Sequence, residues 1–400
     1  MNTKWLTNPF FVYILSFLLV FLVYTLGWSD QYPPLDLSIK VFLFSTFVIS
    51  FFLAFALEKA RKNVFQPIAV QKHKMLIVGL IYFGYVLEFA YSGGVPLLQT
   101  IAGGYNYKDF KGIPTFHVIL STFNIFYSVY IFHQYQSAVK GKKLLLFWLI
   151  TSILPHLLVL NRGAIMITLA SWFFIYLMKM KHIKLKRIIV IPLALMGVIY
   201  LFGVIGNMRY SVSQEDKKFI LRIGGASEAF IDGNVPAEYY WGYLYIATPI
   251  GNFQNIVTKQ ESKFDAGKLP FYMFSEPLPD FLSKKILAVL GIEEPVEDAS
   301  NYLVIESLNA PTVYFRSYFL LGWIGAWLMY LHSAIIMLFY PFILKKSSRY
   351  YLTGWACLVT LVFLNIFSNM WYASGTILIW PLLLSIFENI RLKKNEATRT

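Results

Sequence analysis

The sequence predicts an all-α polytopic membrane protein of about ten transmembrane helices, with a large outer-face loop between the seventh and the eighth. Three observations carry this. Hydrophobic residues make up 57% of the chain and charged residues only 14%, against about 25% charged in a soluble domain. Apolar runs close to the roughly 20 residues that cross a bilayer recur along the chain. Lys and Arg collect in every second loop, as they do on the cytoplasmic side of a membrane protein.

The apolar runs are 9–28, 38–57, 75–93, 114–134, 144–160, 164–180, 188–206, 318–343, 351–369 and 374–389. Only Lys4 precedes the first as a basic residue, and no small-residue cleavage site follows it, so it reads as a retained span. The fifth and sixth are short and meet at Asn161-Arg162-Gly163. They form either a tight outer hairpin or a pair that turns back below the surface. The chain thus divides into residues 1–206 with spans one to seven, an extracytoplasmic loop or cap over 207–317, and residues 318–400 with spans eight to ten and a cytoplasmic tail.

Charge sets the expected orientation. Lys59, Arg61, Lys62, Lys72 and Lys74 follow the second run, Lys140, Lys142 and Lys143 the fourth, and Lys179 to Arg187 the sixth. Lys345, Lys346 and Arg349 follow the eighth, and Arg391, Lys393, Lys394 and Arg399 close the chain. With ten spans these loops all fall on one face, so both termini are expected in the cytoplasm. The net charge of +14 is therefore an orientation signal, and no nucleic acid is expected as a partner. The single cysteine, Cys357, allows no internal disulfide. No nucleotide-binding glycine loop and no cluster of metal ligands is found, so neither cofactor nor metal is expected.

The outer segment 207–317 holds 14 acidic and 10 basic residues. It is too polar to span, yet too rich in Tyr, Trp, Phe and Pro for a disordered tract. In "LPDFLSKKILAVLG", residues 278–291, Leu278, Phe281, Leu282, Ile286, Val289 and Leu290 share one helical face. Asp280 reads as the helix start and Gly291 as its stop. Such a helix suits the membrane interface or the core of the cap.

Charged groups at membrane depth are costly and mark candidate sites. Most lie at the outer ends of the spans. Glu88 stands near the end of the third, His117 at the start of the fourth and His156 late in the fifth. His332 falls in the inner half of the eighth. The arginines assigned outside are Arg162, Arg209, Arg222 and Arg316. A guanidinium offers a planar fork suited to bidentate phosphate binding, whereas Lys is a point charge. Four such groups near one surface suit a phosphate delivered by a lipid; singly, each also suits snorkelling or an ion pair such as Arg162 with Glu88. Glu88 has two readings, a base activated by an apolar setting and a counter-charge for an arginine. His156 reads as an interhelical hydrogen-bonding residue or as a catalytic one. The aromatic run "EYYWGYLY", residues 238–245, suits sugar stacking through Tyr239, Tyr240, Trp241 and Tyr243, or packing inside the cap.

Several stretches together resemble the Wzy-type polymerases of bacterial polysaccharides. "GGVPLL" (93–98) follows the span bearing Glu88, "NRGAI" (161–165) opens a short span, and "NAPTVYFRSYFLLGWIG" (309–325) leads from the long loop into a late span. Arg222 and Gly233 repeat an arginine–glycine spacing of that family's loops. The resemblance implies an architecture similar to the membrane glycosyltransferase class of O-antigen ligases, using no nucleotide sugar and no metal. It implies transfer of a glycan carried on undecaprenyl pyrophosphate to the next lipid-linked oligosaccharide repeat unit, at the outer face of the cytoplasmic membrane, for O-antigen, lipopolysaccharide or capsule. Implied partners are the lipid-linked substrates, with a flippase and a chain-length regulator. In this scheme Arg162, with Arg209, Arg222 and Arg316, binds the pyrophosphate, and Glu88, His156 and Arg162 are the catalytic candidates. An O-antigen ligase-like transferase and a lipid-linked oligosaccharide flippase are the competing functions. A flippase calls for polar groups through the full membrane depth and often for related halves; here the ionisable residues gather at one end.

Overall fold

The computed structural model describes residues 4–60, 65–71, 74–103, 110–180 and 219–397, with side chains to 390, and scattered positions between 190 and 207. Among these the chain is helical, with one isolated β-bridge between Ser29 and Ala226 and no strand. Helices long and apolar enough to cross a membrane are α2 (Leu37–Ala60), α3 (Lys74–Ser92), α5 (Phe116–Ser137), α7 (Arg162–Lys179), the element Phe315–Ile343 and the stretch Met370–Ile390. Two apolar helices are shorter, α1 (Pro9–Tyr24) and Tyr351–Leu364. The protein is therefore an α-helical, multi-pass membrane protein. Of the expected seventh span, 188–206, about half of the positions are described, between Val190 and Gly206, and each of these is helical.

Local chemistry explains the boundaries. Asn8 caps α1 by accepting from the Phe10 amide, and Pro9 occupies the first helical position, where its missing N–H is not needed. A short helix, α4 (Pro96–Ala102), follows α3 across Gly93 and Gly94, both at positive φ. Next, α6 (Lys142–Leu158) and α7 are joined by only Val159, Leu160 and Asn161. Leu160 takes φ +61, and the Asn161 amide donates to the His156 carbonyl. The expected break at Asn161-Arg162-Gly163 is thus a tight turn. Asn161 caps α7 through its side chain, which accepts from the Ala164 amide.

The segment assigned to the cap does more than rest on the membrane. After the single-turn helices α8 (Phe219–Ile223) and α9 (Glu228–Ile231), helix α10 (Glu238–Lys259) runs along α1. It is buried over most of its length, and Pro249 lies inside it. The loop between α1 and α2 is strapped to this region: Ser29 donates to the Gly224 carbonyl, Gln31 to Ile223, and Tyr32 bonds Thr248 at 2.6 Å. Beyond α10, α11 (Leu269–Ser275) leads to α12 (Asp280–Leu290). That amphipathic helix begins at Asp280 and ends at Gly291 in the left-handed region, as its sequence predicts.

The connection into the late spans departs from expectation. Phe315–Ile343 was expected to begin a simple span near residue 318. Instead this element, α13, is broken at Gly322, whose φ of 61 and ψ of −146 only glycine readily adopts. The backbone of Gly325 lies against the Ser317 carbonyl, so the chain reverses here. Before the reversal, residues 308–314 enter the bundle. Val313 donates to the Asn365 carbonyl, and Tyr314 meets Tyr13 at 2.7 Å, hydroxyl to hydroxyl. Tyr13 also bonds Thr46, in the middle of α2. Tyr314 therefore reaches the centre of the bundle. The spanning piece starts at Trp323, and α14 (Tyr351–Leu364), α15 (Met370–Ser374) and α16 (Ile379–Ala397) complete the fold.

Cys357 is fully buried, whereas Val296 and Val139 stand open at 103% and 92% relative exposure. The basic-loop pattern assigns them to opposite faces. A membrane-impermeant thiol reagent on intact cells is expected to label Val296→Cys and to leave Val139→Cys untouched until permeabilisation. The reverse pattern overturns the orientation.

Candidate functional site

A cavity of about 570 Å³ opens between α5, the α6–α7 turn, α10 and α15. Its walls are mainly apolar, with Val118, Ile167, Leu364, Phe367 and Met370. Polar groups converge on it from His117, Ser121 and Thr122 of α5, Asn161, Tyr245 and Ser374. A mainly apolar pocket with a few convergent polar groups is the usual form of a ligand site.

Arg162 is the first residue of α7, and its neighbours Asn161 and Gly163 both line the cavity. The side chain is exposed. A helix N-terminus carries partial positive charge, so the head of α7 and Arg162 together favour an anion at this rim. Glu88 is fully buried, and its carboxylate Oε2 lies 3.0 Å from His117 Nδ1. Its hydrogen-bonding partner is therefore the histidine and not Arg162. His117 keeps 27% of its side chain exposed and forms part of the cavity wall.

His156 takes the interhelical role. It is buried between α3, α5 and α6, with Nε2 3.1 Å from the Asn124 amide nitrogen and Nδ1 3.4 Å from the Tyr85 hydroxyl. Both ring nitrogens are engaged, and it does not line the cavity.

The other three arginines of the expected set lie elsewhere or outside the described residues. Arg209 falls outside them. Arg222 is exposed on α8 with its guanidinium 5.9 Å from the centre of the Phe219 ring, near the strapped first loop. Arg316 lies on the returning piece of α13. Its Nε is 3.1 Å from Glu276 and a terminal nitrogen 2.5 Å from Glu294, and the guanidinium stacks over Phe271. Glu276 is buried and also accepts from the Asn369 amide at 3.1 Å. Burial pushes its carboxyl above the ordinary range, while the Arg316 charge and the Asn369 amide pull it down. Among the described residues, Arg162 is the one of the four beside this cavity.

Most of the aromatic run serves packing. Tyr240, Trp241 and Tyr243 are buried along α10. Tyr240 donates to the Gly224 carbonyl, Trp241 to Asn207, and the Tyr243 ring packs on Trp28. Tyr239 is half-buried beside Tyr200. With their faces covered, the three buried rings offer no platform to a sugar. The open member is Tyr245, 45% exposed, which lines the cavity and which sequence reasoning did not single out. Its signal was available: a helix through 238–245 that buries Tyr240, Tyr243 and Leu244 turns Tyr245 away from them. His117 carries no assigned role in the sequence, although it starts the span after the one that Glu88 nearly ends.

Arg316 was expected to bind the pyrophosphate together with Arg162. Its two carboxylate partners change that expectation. Removing one member of a buried ion pair typically costs about 3–5 kcal/mol, and the one-third exposure of Arg316 reduces the figure. Arg316→Met is expected to lower the thermal midpoint of the purified protein in detergent. Adding Glu276→Gln should recover part of the loss, because no buried carboxylate then lacks its cation. A single variant as stable as the parent removes the structural role.

Comparison with protein-family models, with curated proteins and with solved structures finds no match to this chain.

Proposed function

We propose that this protein is a polysaccharide polymerase of the outer face of the cytoplasmic membrane. It has ten spans, cytoplasmic termini and an architecture like that of the membrane glycosyltransferases. It transfers a glycan from undecaprenyl pyrophosphate onto the next lipid-linked oligosaccharide repeat unit. The observation that carries this reading is Arg162 at the head of α7, beside an amphipathic cavity that opens among the same helix ends.

The chemistry follows from charge. As the bond from the anomeric carbon to the pyrophosphate oxygen breaks, its electron pair moves to the leaving group. Negative charge therefore grows on the pyrophosphate. A cation held in place stabilises that transition state more than the ground state. The guanidinium fork and the partial positive charge at the start of α7 suit that anion. The apolar wall suits the isoprenoid chain near its headgroup. Ser121, Asn161 and Tyr245 supply hydrogen bonds and a ring face to sugar.

Losing one such transition-state contact typically costs about 2.7–4 kcal/mol, or about 100- to 1,000-fold in rate. Arg162→Ala is expected to abolish polymer and Arg162→Lys to lose most of it, at normal membrane levels, because Lys keeps the charge without the fork. Polymer ladders on gels beside membrane blots test this. Parental ladders from Arg162→Ala sink the pyrophosphate site.

A further inference from the structure

Glu88 and His117 come from consecutive transmembrane helices, 29 positions apart in sequence, and meet as one unit. The unit is asymmetric. Glu88 is sealed at 0% exposure behind the imidazole, while His117 stands at the cavity wall with 27% of its side chain open. Residues 110–114 close tightly over the pair: a Cβ on Gly112 would overlap Glu88 Oε2 and the His117 side chain. The Phe110 ring meets the imidazole edge-on at 5.5 Å. Glu88 Oε1 is buried without a hydrogen-bond partner among the described residues. A buried carboxylate with one oxygen unsatisfied and the other given to a histidine is expensive to keep. Structural packing alone does not call for it, since His156 nearby links three helices through neutral groups.

A carboxylate at Glu88 accepts from Nδ1–H, and in the neutral ring that leaves the lone pair on Nε2. Nε2 lies on the ring edge away from Glu88. From these facts we infer that His117 is a catalytic residue of this cavity, the base that takes the proton from the attacking sugar hydroxyl, with Glu88 as its positioning residue. The inference rests on the proposed polymerase reading.

The step balances. The hydroxyl proton of the acceptor sugar passes to Nε2. The oxygen's electron pair forms the new bond to the anomeric carbon of the donor glycan. The old bond to pyrophosphate breaks, and its electron pair leaves with the undecaprenyl pyrophosphate at the Arg162 side of the cavity. The imidazolium that forms is neutralised by Glu88, and its proton passes afterwards to water or to the departing phosphate. Glu88 thus supplies orientation and counter-charge, and the proton it would have received as a base goes to His117.

The test uses the full chain in proteoliposomes, supplied with the lipid-linked saccharide extracted from cells that lack this protein. General-base catalysis is worth about 100- to 10,000-fold. His117→Asn, which retains a donor toward Glu88 but no base, is expected to lower kcat by that order with KM little changed. His117→Ala should fall similarly, and added imidazole should restore part of its rate through the open cavity. Glu88→Gln should lower kcat with KM held and gain nothing from imidazole. Parental turnover by His117→Asn overturns the inference, as does inactive but folded His117→Ala that imidazole leaves unchanged. If His117→Ala does not fold, His117→Asn decides. An active Arg162→Ala beside an inactive His117→Asn removes the pyrophosphate site and leaves the base. No polymer from the parental chain overturns both.

Discussion

Irregular backbone at membrane depth survives only if its N–H and C=O groups find partners inside the protein. Residues 308–314 are such a stretch, and the architecture around the cavity depends on how they are held. Asn252 of α10 does most of it. Its amide donates to the carbonyls of Leu308 and Ala310, and its carbonyl accepts from the Val304 amide. Asn255 holds the Tyr302 carbonyl one turn further along, and Gln260 that of Phe319. Helix α10 is consequently less apolar than its neighbours, for a physical reason. Its amide side chains replace the water that the re-entering chain has lost.

The polar side chains of the bundle sort by what they face. Ser128 with Ser152, Ser171 with Thr360, and Tyr13 with Thr46 and Tyr314 close on one another across helix contacts. Such bonds tie helices where apolar packing offers no solvent-driven preference for protein over lipid. The groups at the cavity behave differently. His117 and Asn161 each hold one bond within the fold while lining the cavity. Partial commitment of this kind preorganises a group without consuming it.

Helix α15 joins the cavity to the cap. Met370, Ala373 and Ser374 line the cavity, while Tyr372 donates to Asp280 and the preceding Asn369 to Glu276. Residues 369–374 thus reach both Glu276, a partner of Arg316, and the cavity. The pairing of Arg316 with Glu276 and Glu294 ties the start of α13 to the segments on either side of α12, which makes its loss structural.

What the sequence determined by itself are features set by a few neighbouring residues. Hydropathy over some 20 positions marks a spanning helix because lipid demands it. The turn at Asn161 and the stop of α12 at Gly291 follow from capping and from glycine's access to positive φ. Glu88, His117 and Arg162 were visible as polar groups at span ends. The tertiary structure alone decided their partners. Glu88 is bound to His117, Arg316 to two cap carboxylates, and three rings of the aromatic run turn inward while Tyr245 turns out. It also decided that the chain before Trp323 dips into the bundle and reverses at Gly322. These are long-range facts. They depend on which helices pack side by side, and that follows from the mutual fit of whole surfaces, which no window of neighbouring residues encodes.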